Sequence, residues 1–169
     1  MARAQRTMGE PIRLRIDDRL IHGQVTVVWT AQLGIEHLVV ANDEVADDDL
    51  QCMLLPQAAR GLPTDVLKVA DVPGWCQAHH DVRVMVIAKH PEDAFELLRG
   101  GLDVIEVVIG NVASLPGVRS TRLTRWVTAT APQAAAYREL SAAGTRFVCR
   151  LLPTDKGSDV VSLLGKKGM

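Results

Sequence analysis

The sequence predicts one α/β domain: an open, mostly parallel twisted sheet with helices on both faces. Three observations lead there. Short apolar runs, most of them rich in β-branched residues, recur along the chain and are too continuous for a sheet with one wet face. Segments of helical character separate most of these runs, which gives the alternating order of a parallel sheet. The length, 169 residues, is that of one ordinary domain, and a 47% hydrophobic fraction fills a core without a disulfide or metal staple.

In chain order, strands are expected at 12–16, 37–41, 66–69, 82–88, 104–109, 126–128 and 146–151. Helices are expected at 25–33, 47–59, 73–79, 91–98, 132–142 and near 158–164. Local chemistry supports the boundaries. Asp47, Asp48 and Asp49 put acids where a helix start is partly positive, and Pro91 and Pro132 fall where a first-turn proline removes no hydrogen bond. Gly34, Gly100 and Gly144 each follow a helix as a cap. Residues 113–124, with Pro116 and Gly117, form the one long irregular connection, able to hold a short helix or a mobile loop. Residues 1–10 carry Arg3 and Arg6 without the apolar stretch of a secretory signal. They read as a loose tail before a single domain at 11–169, with Met8 as an alternative start.

Composition narrows the partners. Lys+Arg total 19 against Asp+Glu 20, so the basic excess that binds nucleic acid or anionic lipid is absent. No apolar run approaches the roughly 20 residues of a membrane span. Cys52, Cys76 and Cys149 are an odd, widely spaced set without a C-x-x-C pair, as expected of reduced core thiols in the cytosol.

In a sheet of this kind ligands bind beyond the carboxyl ends of the strands. The loop after the first strand is the densest in functional groups, with Asp17, Asp18, Arg19, His22, Gly23 and Gln24. A histidine just before a helix start, with an arginine three residues back, can hold a phosphoryl group on a ring nitrogen, because amides and guanidinium neutralise its charge. A nearby aspartate can accept the other ring N–H and fix the tautomer. No nucleotide-binding glycine motif accompanies the loop. An Asp–Arg pair is often only a surface ion pair worth about 0–1 kcal/mol, and a loop histidine is often a bystander. The residue types alone leave catalysis and structure both open.

The run Arg15 to Val25, RIDDRLIHGQV, closely resembles the phosphorylation loop of the mannose/fructose/sorbose-family IIB components of the bacterial phosphoenolpyruvate:sugar phosphotransferase system. The likeness continues through Trp29, through VVANDEVA at 39–46, KHPEDA at 89–94, Gly100-Gly101 and Pro153-Thr154-Asp155. The resemblance implies an open α/β fold and a cytoplasmic phosphotransferase. His22 would accept phosphoryl from a phosphohistidine on a IIA partner and pass it to a hexose-type sugar held by membrane IIC/IID partners. The carrier would then be peripheral to the inner membrane through that permease. By position Asp17 and Arg19 support the histidine. Gly23, Gln24, Val25 and Lys89 are expected to face the phosphate, and Asn42, Asp43 and Gly110 to shape the site. No cofactor or metal is required, and a homodimer is expected on general grounds.

Where many of these relatives have a second glycine after the fifth strand, this chain has Asn111, which leaves that loop's shape open. His90 is expected to be a solvent-facing helix-entry residue and His37 a packed or edge histidine. Adjacent His79 and His80 point about 100° apart on a helix and lack a third metal ligand. Trp29, Trp75 and Trp126 are scattered and read as core or interface residues. Two other functions compete. One is a regulator that senses phosphorylation without coupling to transport. The other is a hydrolase with His22 as base and Asp17 as orienter, which lacks a G-x-S-x-G nucleophile.

Overall fold

A computed structural model describes residues 12–23 and 25–169; the expected tail at 1–10 lies outside them. The chain runs β1 (Arg13–Asp17), a π-helical turn (Val25–Trp29), α1 (Thr30–Leu33), β2 (His37–Ala41), α2 (Asp43–Ala46), α3 (Asp49–Ala58) and β3 (Thr64–Leu67). A 3-10 turn (Val69–Asp71), α4 (Val72–Ala78), β4 (Val84–Ala88), α5 (Pro91–Arg99) and β5 (Glu106–Asn111) follow. The last part comprises β6 (Thr121–Arg122), β7 (Thr128–Ala129), α6 (Ala131–Ala142), β8 (Arg146–Cys149), β9 (Ser158–Asp159) and α7 (Val160–Lys166).

Seven strands form one sheet in the order β3-β2-β4-β1-β5-β8-β9. All neighbours are parallel except β9, which runs antiparallel to β8 at the edge. The apolar runs sit in the middle because both of their faces are covered. β4, VMVIA, is buried at every position. Val84, Val86 and Ala88 join the core under α4 to α7, while Met85 and Ile87 join the one under α1 and α3. Phe95, Tyr137 and Phe147 pack edge to face in the larger core, with centroids 4.9 to 6.1 Å apart. The connection after β1 thus turns to one face, and those after its neighbours β4 and β5 turn to the other. A crevice opens at the β1 carboxyl end for that reason.

Several boundaries differ from expectation. The helix expected at 47–59 is α3, which starts after Asp48 because that carboxylate accepts from the amides of Leu50 and Gln51, and a short helix that was not expected, α2, precedes it with its own cap in Asn42. The helix expected at 25–33 opens as a π-helical turn. β3 ends at Leu67 because the Val69 amide is drawn away to Asp43 Oδ1 at 2.8 Å. The strand expected at 126–128 is β7, which leaves the main sheet to pair antiparallel with β6. Thr124 Oγ1, accepting from the Trp126 and Val127 amides, makes the turn between them. Residues 113–124 hold β6 and no helix. Ser158–Asp159 is strand, and Asp159 then caps α7. α5 ends on Gly100 as expected, and the left-handed residue that follows it is Gly101 (φ 94°).

Candidate functional site

The alternation of β1 places Leu14 and Ile16 in the larger core and turns Arg15 and Asp17 to the opposite face. Both charged residues are nonetheless buried, Arg15 at 2% exposure and Asp17 at 0%. Burial is tolerable because they satisfy each other: Arg15 Nε and Nη2 donate to Asp17 Oδ2 at 3.3 and 3.1 Å. Arg19 grips the same carboxylate from the loop. Its amide and Nε donate to Oδ1 at 3.1 and 3.0 Å, and its Nη2 to Oδ2 at 3.0 Å. His22 Nε2 completes the cluster at 3.2 Å from Oδ2.

The backbone makes room for this cluster. The pairing of β1 with β5 slips by one residue between Ile16 and Asp17, so that Asp17 faces Asn111 and Gly110 is the extra residue of a bulge. A Cβ on Gly110 would lie 2.0 Å from Arg15 Nη2 and 2.6 Å from Asp17 Oδ2. No other residue type fits there. Next in the chain, the Asp18 carboxylate accepts from Asn111 Nδ2 at 2.5 Å and from the Ala113 amide at 2.8 Å. Asn111 therefore ties the two loops together. Leu20 adopts a left-handed backbone (φ 58°), strained by about 1 kcal/mol for a side chain. The turn is held by its amide on the Asp17 carbonyl at 3.0 Å and by burial of Leu20 and Ile21 in the smaller core. These two apolar anchors bring His22 to the crevice at 23% side-chain exposure.

The charges follow from this geometry. Burial alone would raise the Asp17 carboxyl, but hydrogen bonds from His22 and Arg19 and the charge of Arg15 outweigh it and hold the group well below the carboxylate range. Asp17 is thus an ionised acceptor. His22 Nε2 must then be the donor in their contact, which places the lone pair of the neutral ring on Nδ1. Arg19 is raised by its bond to Asp17, and Arg15 is lowered by burial. The arrangement offers one nucleophilic ring nitrogen of fixed tautomer beside a permanently charged guanidinium.

The other expected residues divide. Gly110 belongs to the cluster. Gly23 is exposed beside it, while Gln24 and the side chain of Val25 lie outside the described residues. Lys89 is half-buried at the end of β4, and the carboxylate it influences is Asp48 rather than Asp17. Asn42 is buried and joins loops: its Oδ1 caps Val45 and its Nδ2 donates to Asp93 Oδ2 at 3.0 Å, which also accepts from the His90 amide. Asp43 serves the Val69 amide. These residues brace the neighbouring loops. His37 pairs with Asp65 at 2.7 Å and packs on Trp75, on which His79 stacks at 3.9 Å. Trp29 is core, with its indole N–H on the Leu151 carbonyl at 2.9 Å, while Trp126 is 42% exposed. Among the described residues no group of three or more metal-ligating side chains converges. Sequence reasoning missed one contributor, Arg15, and left the part of Asn111 open. A lone arginine inside an otherwise apolar strand, two residues from an aspartate, was the available sign of the first.

Comparison with known proteins identifies the family and supports the fold. The model of the family described as "PTS system sorbose subfamily IIB component" matches residues 12–169. The chain is similar to a sorbose-specific EIIB component of Lacticaseibacillus casei, 31% identical over 153 residues that cover 88% of this chain and 91% of the relative. It is also similar to a mannose-specific EIIAB component of Escherichia coli, 32% identical over 157 residues, covering 90% of this chain and 47% of that longer protein. Among solved structures, the IIBSor domain of the sorbose permease from Klebsiella pneumoniae superposes with a TM-score of 0.85 at 29% identity, covering 92% of this chain and 97% of that one.

Proposed function

Because this chain belongs to the sorbose subfamily of IIB components of the phosphotransferase system, and is therefore a sugar phosphotransferase component, we propose that His22 is its phosphoryl carrier. The observation that carries the reading is the Asp17–His22 contact, in which an ionised, fully buried carboxylate fixes the ring with Nδ1 as the nucleophile. The donor is a phosphohistidine on a IIA domain. Nδ1 attacks its phosphorus in line, a new N–P bond forms as the donor's N–P bond breaks, and Arg19 balances charge on the equatorial oxygens. Gly23, Gln24 and Val25 are the residues we assign to the phosphate, and Lys89 and the braced loops at Asn42 and Asp43 to the rim. A sugar hydroxyl then attacks the phosphorus and releases His22.

Fusion of A and B parts in the E. coli mannose relative supports a IIA partner for this chain. Relatives named for sorbose, mannose and N-acetylgalactosamine support a hexose or hexosamine acceptor, presented by membrane IIC/IID partners. Among the described residues no helix is long and apolar enough to cross a membrane, which fits a cytoplasmic carrier docking on a separate permease. Cysteine is a poor alternative carrier: burial pushes the Cys149 thiol up to about 12, Cys76 is buried, and the half-buried Cys52 thiol is turned to the Val45 and Ala46 carbonyls.

The test is transfer from a phosphorylated IIA donor of this class to the purified chain and to His22→Ala, followed by intact mass and acid lability. One acid-labile phosphoryl group on the parent and none on the variant is expected. Labelling of the variant, or none of the parent with its fold intact, overturns the assignment. Labelling without onward transfer to sugar in the presence of the permease favours a regulator.

A further inference from the structure

The sheet face that carries Arg15 also carries a second concentration of charge that the histidine chemistry does not use. A cavity of about 70 Å3 lies over β4, β1 and β5, with Arg13, Arg15, Trp29, Glu106, Val108 and Arg150, the residue after β8, in its wall. Asp17, Arg19 and His22 are not in that wall. Arg15 Nη1 and Arg150 Nε are both buried and have no hydrogen-bond partner among the described residues. Arg15 is 2% exposed, with its other donors committed to Asp17. Arg150 reaches Glu106 only at 3.5 Å, through Nη1, and Arg146 shares that same carboxylate at 3.7 Å. Trp29 covers the cavity, its ring 4.9 Å from the Arg15 guanidinium carbon and its indole N–H fastened to Leu151.

A buried guanidinium N–H without an acceptor costs on the order of 1–3 kcal/mol. An apolar occupant would leave both donors unpaired, and a cation would face three guanidiniums against one carboxylate. An anion satisfies both requirements. Since one water needs roughly 10–15 Å3, the space admits several waters or one tetrahedral ion. We propose that this chain has a second anion site beneath Trp29, separate from the histidine loop, that holds a small oxyanion (a phosphate or a carboxylate group) between the guanidinium groups of Arg15 and Arg150. Through Arg15, which also grips Asp17, an occupant of this site touches the framework that orients His22.

The experiment is calorimetric titration of the full chain with inorganic phosphate, and separately with acetate, at ionic strength fixed with chloride, alongside thermal midpoints. Saturable binding of phosphate, acetate or both, with a rising midpoint, is expected. It should persist in Arg19→Gln, which weakens only the loop site, and fall about tenfold or more in Arg150→Gln. Val108→Phe, which fills the cavity without changing charge, should abolish binding and keeps the test decisive if Arg150→Gln folds poorly. Acetate binding alone assigns a carboxylate ligand, and phosphate alone a phosphoryl one. Absence of binding by either anion shows a cavity for water only and overturns the proposal. Loss in Arg19→Gln with retention in Val108→Phe overturns it equally, by placing the ion at the loop.

Discussion

Asp17 accepts hydrogen bonds from Arg15, Arg19 and His22 through two oxygens, so the consequences of changing it separate by partner. Asp17→Asn leaves the Arg15 guanidinium buried without a counter-charge, which should lower stability by about 3–5 kcal/mol. The same change removes the acceptor that fixes the His22 tautomer and should slow phosphoryl transfer by about 10²-fold or more. Adding Arg15→Met should restore much of the stability, with transfer still low; denaturant melts and transfer rates on the two variants check both statements. The pH dependence has a definite sign. The folded carboxyl is depressed, so its stabilisation is fully present above the unfolded value of about 4 and fades as pH falls toward the folded one. Wild-type midpoints should therefore drop below about pH 4 by an increment that Asp17→Asn lacks. Arg19→Ala differs, because Arg19 is 37% exposed: transfer should slow with a stability change under about 1 kcal/mol, and a collapse of the midpoint with normal transfer would show a structural residue instead.

At the scale of elements, the β5 bulge and the caps of the short helices do different work. Gly110→Ala drives a methyl into the Arg15–Asp17 pair. It should cost at least about 1–3 kcal/mol as overpacking and slow transfer together with stability. Asp48→Ala removes the α3 cap and should cost about 1 kcal/mol with transfer unchanged, since α3 supplies no group to the His22 cluster. Comparing the two variants by melting and by transfer from a IIA donor separates loops that build the site from loops that only carry the fold. Asn111 lies between these cases: its bond to Asp18 ties the β5 loop to the β1 loop.

Across the whole molecule, the two cores on opposite faces of one sheet make the three cysteines reporters of opening. Cys76 and Cys149 are buried, and the Cys149 thiol is pushed up to about 12 by burial. A disulfide reagent at pH 8 should label Cys52 in the folded chain and the other two only on global unfolding. Rapid labelling of all three in the native protein, read by mass, would refute a single cooperative core.

The alternating apolar runs were enough to establish a parallel α/β sheet, because a strand covered on both sides must be apolar at every position. The loop at 17–24 could likewise be placed at a carboxyl edge from strand order alone. Strand edges and helix breaks were less legible. They depend on single side-chain bonds between distant residues, such as Asp43 to Val69 or Asn42 to Asp93, which local propensity does not encode. Tertiary structure alone decided that Arg15 lies buried against Asp17, that Gly110 is the residue whose missing side chain admits them, and that Asn111 holds Asp18. The last two contacts join β1 and the residue after it to residues more than 90 positions away. A one-dimensional pattern records which residues are apolar, but which charged groups meet across a bulge is set only when two strands come into register.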